Sequence, residues 1–229
     1  MSSTIQVDNI KDIGGNTMIS SNGSGTFTNS LPAPTSGIAA SAIDSGTIAT
    51  ARLGSGTASS STFLRGDQTY AAAGGITAAS QWRLTTNFSG VSSANPIASN
   101  WELSDTTGYG SLGSNMTESS GIFTFPSTGY WHIWALINFN INGQSLYNSC
   151  AIMATVNNSS YANATDSYAS INTSGNGYAS ASGDFIFDVT NTSTHKVRLD
   201  TVLQNTNTNV QGSSIDLRTG MTFIRLGDT

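Results

Sequence analysis

The most regular alternation of apolar and polar positions lies within residues 121–140, where a short apolar run, a turn and a long alternating run follow one another. Pro126 and Gly129 favour the turn between the two runs. The apolar side chains of the long run occupy every second position, at Trp131, Ile133, Ala135, Ile137, Phe139 and Ile141. A period of two predicts a β-strand with one face buried throughout. On the other face, Trp134 and Leu136 are too large and apolar for a solvated surface, so they meet either a second core layer or another subunit.

Further short runs with strand character follow along the second part of the chain, each bounded by Gly, Asn, Asp, Ser or Pro clusters. The predicted strands cover residues 81–88, 97–103, 121–125, 129–141, 147–156, 161–171, 178–189, 196–204 and 220–226. No helical period stands out. Many short strands separated by turns predict an all-β fold, either a sandwich or a barrel.

The last predicted strand is apolar on both faces. Met221 and Phe223 lie on one face, and Ile224 and Leu226 lie on the other. A strand of this kind is either a central strand under another layer or a strand that faces a symmetry axis between subunits.

Residues 1–75 have a different pattern, in which small residues are interrupted by single apolar ones. Ile38, Ile43, Ile48 and Leu53 recur every five residues, a spacing typical of neither a heptad nor an alternating strand. With so few apolar side chains, this segment of a single chain cannot form a buried core of its own. Two interpretations follow, a disordered linker or an extended stalk in which three copies close a narrow core around these four residues. We therefore divide the chain into an extended N-terminal segment, residues 1–75, and a head domain, residues 76–229.

The hairpin of the head resembles a known family. Gly121, Phe123, Pro126, Gly129 and Trp131 follow the order found in the core hairpin of the complement globular-head and tumour-necrosis-factor-like jelly rolls. That resemblance, which covers roughly residues 76–229, implies a jelly-roll β-sandwich that assembles as a homotrimer. Residues 220–226 resemble the last strand of that family, which runs through the trimer centre. The resemblance adds four head residues to the predicted trimer contacts: Trp134, Leu136, Phe223 and Ile224.

A second resemblance lies before the head. Residues 45–54 and 62–70 are similar to connector segments of bacteriophage tail and fibre proteins, in which Phe-Leu-Arg-Gly-Asp is followed by any one residue, a threonine and an aromatic residue. Tyr70 takes the aromatic place, and the resemblance implies a virion protein. The tripeptide Arg65-Gly66-Asp67 is also read by integrins, but we interpret it as a structural turn. Gly66 would supply backbone freedom and Asp67 would cap the turn.

The composition and charge of the chain limit the classes of partner that it can bind. The charged fraction is 9 % and the net charge is −5, with no basic patch, so nucleic acid is not an expected partner. Cys150 is the single cysteine and lies in an apolar run, which predicts a buried free thiol and excludes an internal disulfide. Residues 1–20 lack a signal-peptide pattern, and no apolar run has the length of a membrane helix. We expect a protein made in the cytoplasm that does not insert into a membrane.

No catalytic arrangement is apparent in the sequence. His132 and His195 have no nucleophile motif nearby, and the common hydrolase, metalloprotease and phosphate-loop patterns do not occur. Glycoside cleavage needs two placed carboxylates, and the sequence does not show that any two meet. Calcium at a loop or at a trimer apex stays open, although no calcium-loop motif occurs. We predict a non-enzymatic protein without a cofactor or a bound metal.

Binding is better supported than catalysis. The predicted loops are rich in tyrosine and asparagine, a combination that can stack on sugars and form hydrogen bonds with them. The alternative is that these tyrosines are ordinary strand and turn residues. The candidate ligand-binding residues are Tyr109, Tyr147, Tyr161, Tyr168 and Tyr178.

Together these features predict a homotrimeric fibre of a bacteriophage virion, assembled in the host bacterial cytoplasm. The N-terminus would attach to other virion structural proteins, and the head of a tail fibre would bind a host-surface glycan. The first alternative is a structural fibre that decorates the capsid or collar. A polysaccharide depolymerase is the less supported second alternative.

Overall fold

The computed structural model describes residues 9–21, 27–29, 48–72 and 74–229. The chain divides into two compact units, Met1–Ala72 and Ala73–Thr229. Ile38 and Ile43, two of the predicted trimer contacts, lie outside the described residues.

The first unit begins with a small antiparallel sheet of strands β1 (Asn9–Lys11), β2 (Thr17–Ser21) and β3 (Phe27–Asn29). The turn between β1 and β2 is held by Asp12, whose carboxylate accepts hydrogen bonds from the backbone and side-chain nitrogens of Asn16, at 2.8 and 3.0 Å. These bonds stabilise the charged carboxylate and lower the pKa of Asp12.

The connector sequence forms a small folded element. A single 3₁₀ turn, Thr50–Arg52, is followed by a hairpin of β4 (Thr62–Leu64) and β5 (Tyr70–Ala72). Backbone hydrogen bonds join Ser55 to both Gln68 and Tyr70, at 2.9 and 2.8 Å. Ile48 and Leu53 are each 39 % exposed, so the element does not bury them by itself. A three-chain stalk built on them stays a prediction.

In the turn at Arg65–Gly66–Asp67, Asp67 has the role predicted from the sequence and Gly66 does not. The Asp67 carboxylate accepts hydrogen bonds from the backbone nitrogen and the hydroxyl of Thr69, at 3.1 and 2.7 Å, which confirms its capping role. The predicted role of Gly66 is wrong, because the positive φ angle of the turn, 63°, belongs to Gln68. Gly66 has no positive φ and no neighbouring atom that excludes a side chain.

We expect Gly54→Ala to open this connector element and Gly66→Ala to leave it closed. A Cβ atom at residue 54 would overlap the carbonyl oxygen of Gln68 and lie 2.6 Å from Leu64 Cδ1, whereas a Cβ atom at residue 66 meets nothing within 4 Å. Overpacking of this kind costs about 1–3 kcal/mol. Hydrogen–deuterium exchange of peptides covering residues 62–72 should therefore accelerate in Gly54→Ala alone. Equal exchange in the two variants would contradict this account of the fold.

The second unit, the head, is built from β-strands. They are β6 (Ala79–Leu84), β7 (Ser93–Ala94), β8 (Trp101–Leu103), β9 (Thr117–Ser119), β10 (Ile122–Thr124), β11 (Gly129–Thr155), β12 (Ala162–Val189), β13 (Lys196–Val202), β14 (Asn209–Val210) and β15 (Gly220–Gly227). The prediction of an all-β head is confirmed.

Two long strands fold the hydrogen-bonded network into two layers. The front sheet runs in the order β8, β6, β15, residues 129–142 of β11 and residues 176–189 of β12. The back sheet runs in the order residues 162–172 of β12, residues 144–155 of β11, β13, β10 and β9. Because β11 and β12 pass from one layer to the other while they stay paired, the head has the topology of a jelly-roll sandwich.

The core lies between the two sheets. The predicted buried face of β11 is confirmed, since its alternate side chains are at most 3 % exposed. Phe123 of β10 crosses from the back sheet and contacts Trp82, Trp101 and Phe223, with ring centroids 5.1–5.7 Å apart. Burial of these large rings is the main source of stability in a sandwich of this kind.

The assignment of Phe223 to a subunit contact is wrong. Its side chain is fully buried between the sheets and packs against Phe123 and Phe125 of the same chain. The sequence showed apolar residues on both faces of β15, and the inner face is the one that carries Met221 and Phe223. Ile224 points to the opposite, outer face and is half-buried.

Candidate functional site

The outer face of the front sheet carries an apolar strip. His132 on β11 lies opposite Ile186 on β12 and Ile224 on β15, and the next two outward positions of β11 are Trp134 and Leu136. Ile186 is 58 % exposed, and the other four side chains are half-buried. We call these five residues the assembly strip. Large apolar side chains that share one face of a sheet and stay partly exposed mark a surface for another protein.

Few charges lie beside this strip. His132 Nε2 lies 3.4 Å from the carboxylate of Asp184, which is the cross-strand neighbour of Trp134. Asp188 is exposed opposite Tyr130 at the end of the strip. A surface with little charge loses little hydration when it is covered, which favours contact with another apolar face.

The same face becomes polar farther along β11. The next outward positions are Asn138 and Asn140, and Asn140 lies opposite Tyr178 on β12. The Asn140 side-chain nitrogen donates hydrogen bonds to Asn176 Oδ1 at 2.7 Å and to the carbonyl oxygen of Gly177 at 2.9 Å. The outer face of the front sheet therefore has an apolar part and a polar part on the same strands.

The five candidate tyrosines do not form one site. Tyr168 lies on the back sheet and Tyr178 on the front sheet, and they are 64 % and 67 % exposed. Tyr147 is 46 % exposed at the bend of β11. Tyr109 is part-buried, and its hydroxyl accepts a hydrogen bond from the backbone of Gln81. Tyr161 is also part-buried, so three of the five rings are available to a ligand.

A polar cluster on the back sheet was not predicted from the sequence. The Arg198 guanidinium lies 4.4 Å from the ring centroid of Tyr161 and donates a 2.9 Å hydrogen bond to Asp200 Oδ2. The Asp200 side chain is 8 % exposed. The three residues join the start of β12 to β13, so this cluster stabilises the back sheet. Arg198 and Asp200 stand two residues apart on β13 and so share a face, but the sequence does not show that Tyr161 covers them.

The cluster predicts a pH dependence of stability. Burial raises the pKa of Asp200 above its ordinary value of 3.8, and the charge of Arg198 opposes the rise. The folded head therefore binds this proton more tightly than the unfolded chain, and it loses stability as the pH rises from the ordinary value through the raised one. One group contributes at most about 1.4 kcal/mol per pH unit in that window.

Asp200→Asn should remove this contribution. In urea unfolding at a series of pH values, the wild type should gain stability relative to the variant as the pH falls through the window. Parallel profiles of the two proteins would contradict the raised pKa.

The two histidines do not form a catalytic pair. His195 is buried, stacks on Phe187 at 5.4 Å and lies 3.2 and 3.1 Å from the hydroxyls of Thr190 and Thr194. His132 lies on the outer face of the front sheet, so the two rings have separate structural surroundings. Among the described residues, no group of three or more His, Cys, Asp or Glu side chains is arranged to hold a metal ion.

Cys150 is a buried free thiol, as predicted. Burial raises its pKa to about 12, and the charge of Asp166 adds to the rise. Within the described part of the chain, no helix combines the length and apolar character needed to cross a bilayer.

Comparisons with known proteins find similarity in solved structures only. No family model matches the chain, and no curated protein matches it. Murine APRIL at pH 5.0 is 10 % identical with a TM-score of 0.47, and the match covers 65 % of this chain and 98 % of that chain. Eiger TNF from S. frugiperda is 13 % identical with a TM-score of 0.46, and the match covers 68 % of this chain and 95 % of that chain. Both identities lie below 25 % and both TM-scores below 0.5, so no property of these proteins is carried over to this chain.

Proposed function

We propose that this chain is a non-enzymatic bacteriophage virion fibre whose head assembles as a homotrimer. The observation that carries the assembly is the strip of His132, Trp134, Leu136, Ile186 and Ile224 on the outer face of the front sheet. The virion setting is supported by the connector sequence of residues 62–70, which forms a compact hairpin.

In a trimer, the side chains of this strip would be buried further than they are in a single chain. Full burial of a large aliphatic or aromatic side chain contributes about 1.5–3 kcal/mol. The strip side chains are already partly covered, so each contributes a fraction of that value, but a closed ring of three subunits repeats the contact three times.

The fibre acts by presenting three identical heads on one stem. Its N-terminal segment attaches to other virion structural proteins, and its head is a tail-fibre tip that binds a host-surface glycan. Three weak sites on one trimer, and many trimers on one particle, bind a dense surface far better than one site. The exposed rings of Tyr147, Tyr168 and Tyr178 support binding, since they offer rigid contact area on the head surface.

The location of the protein on the particle tests this function. Antibodies against residues 76–229, labelled with gold, should mark the tail or its fibres on intact phage particles viewed by electron microscopy. The same antibodies absorbed with soluble protein serve as the control. Label spread over the capsid or collar would replace the tail-fibre assignment with structural decoration, and the absence of label from all particles would overturn the virion assignment.

A further inference from the structure

The polar part of the front-sheet face contains a shallow depression beside an exposed aromatic ring. Its volume is about 240 Å³, and it is lined by Asn138, Phe139, Tyr178, Ala179, Ser180 and Gln211. The depression forms because β15 pairs with β11 only as far as Leu136, whereas the two-residue strand β14 pairs with Phe139 and Asn140. We call Asn138, Tyr178 and Gln211 the amide corner.

The amide corner offers both donors and acceptors. Among the described residues, the side-chain amides of Asn138 and Gln211 make no hydrogen bond, although the backbone nitrogen of Gln211 donates to the carbonyl oxygen of Asn138 at 2.8 Å. Each free amide has one acceptor oxygen and two donor hydrogens. The two side chains are therefore available to hydroxyl groups of a ligand, while their backbones are held in place.

The aromatic ring of the corner is positioned by its neighbours. The Tyr178 ring is 67 % exposed, and its hydroxyl accepts a hydrogen bond from Asn176 Nδ2 at 3.4 Å. Asn176 is in turn bonded to Asn140 on the neighbouring strand. Tyr178 therefore presents a flat apolar surface from a rigid strand, and this reduces the entropy lost when a ligand stacks on it.

The lining of the depression selects the class of ligand. It carries no ionisable group other than the tyrosine hydroxyl, so no charge is placed to pair with an acidic or basic ligand. A flat ring next to uncharged donors and acceptors suits a molecule with one apolar face and several hydroxyls. Neutral saccharides have this combination, because their C–H groups cover one face and their hydroxyls project from the edge.

We propose that the amide corner binds one neutral saccharide unit, with the Tyr178 ring against its C–H face and with Asn138 and Gln211 bonded to its hydroxyls. This site rests on the proposed function and adds to it the chemical class of the ligand. Avidity at the site depends on the proposed trimer. Asn138 of the corner is the next outward position of β11 after Leu136 of the strip, about 7 Å along the strand, so assembly and binding use adjoining parts of one face. Three corners of a trimer then lie at the same end of the head.

Saturation-transfer NMR on the full chain tests the site, with glucose, galactose, N-acetylglucosamine and galacturonate as separate probes. We expect transfer to the ring protons of at least one neutral sugar in the wild type. Two variants should each lower the affinity for that sugar roughly tenfold: Tyr178→Ala, and the double change Asn138→Ala with Gln211→Ala. A tenfold loss is the effect of removing one stacking contact or one pair of hydrogen bonds. Tyr130→Ala is the matched control, because its ring is 43 % exposed at the far end of the same face of β11 and lies outside the corner, and it should bind as the wild type does.

Several results would overturn the site: no transfer to any neutral sugar, transfer to galacturonate alone, or equal transfer in Tyr178→Ala and the wild type. Sedimentation velocity on the same samples separates this proposal from the trimer. If Tyr178→Ala changes the number of subunits, the corner is a subunit contact and the saccharide site is wrong. If the wild type is a monomer that still shows a Tyr178-dependent signal, the saccharide site is supported and the trimer is contradicted.

Discussion

Replacing Phe123 by alanine should lower the free energy of unfolding of the head by about 3–5 kcal/mol. Phe123 is fully buried, and its ring meets Trp82 at 5.7 Å, Trp101 at 5.1 Å and Phe223 at 5.2 Å. Trp82 and Phe223 belong to the front sheet, whereas Phe123 belongs to the back sheet. The substitution therefore leaves a cavity between the two layers and removes three aromatic contacts at once, each worth about 0.5–1.5 kcal/mol beyond burial.

The measurement is urea unfolding followed by tryptophan fluorescence at a fixed protein concentration. The matched control is Ile122→Ala, which changes the neighbouring residue on β10. Ile122 points away from the core and is half-buried, so its loss should cost about 1 kcal/mol. If the two variants lost equal stability, the placement of Phe123 at the centre of the core would be wrong.

Trp134→Glu should convert the proposed trimer into monomers at micromolar concentration. The substitution places a carboxylate in the middle of the assembly strip, directly opposite Asp184. Burying a carboxylate without a partner costs several kcal/mol, and the like charge across the strand adds to the penalty. Because Trp134 lies on the outer face, the single head should stay folded, with its far-ultraviolet circular dichroism unchanged.

Val202→Glu provides the matched control for this second prediction. Val202 is 42 % exposed on the outer face of the back sheet, and the substitution adds the same charge to a sheet surface outside the strip. Sedimentation velocity should show a smaller particle for Trp134→Glu alone. If both variants kept the mass of the wild type, the strip would not be a subunit contact.

The alternation of apolar residues along β11 could be recognised from the sequence because one whole face is buried in the core. The length of β11 could not be predicted in the same way. Predicted strands 129–141 and 147–156 are one strand in the structure, because Gly143, with a φ of 125°, lets the chain bend while it stays paired with β12. Pairing between distant segments, rather than local pattern, decides where such strands end.

The same limit applies to β12. Predicted strands 161–171 and 178–189 are joined through residues 172–177, where Asn, Thr, Ser and Gly dominate and turn chemistry was expected. The short strands β7, β9 and β14 were missed, since two or three residues show no period. They form because longer neighbouring strands offer them free backbone groups.

The candidate surfaces were predicted in part. Trp134, Leu136 and Ile224 were among the contacts predicted from the sequence, whereas Ile186, which lies between two phenylalanines on its strand, was not. Phe223 was misplaced, since an apolar residue has the same pattern whether it faces the core or a partner. Composition identified Tyr178 as a candidate, but not its neighbours Asn138 and Gln211, which only the fold brings together.

Arg83 shows why side-chain partners are hard to find from one sequence. It is fully buried, and its guanidinium bonds Glu102 Oε1 and Thr106 Oγ1, each at 2.7 Å, and also pairs with Asp105. An arginine on a predicted strand is expected to face solvent. Here the partners come from β8 and the loop after it, and they compensate the buried charge.

The central claim is that the head forms a trimer through the assembly strip, and sedimentation equilibrium of the wild-type chain tests it most directly. The account predicts a single species with three times the 23.7 kDa mass of one chain at micromolar concentration. A species with the mass of one chain under the same conditions would contradict it.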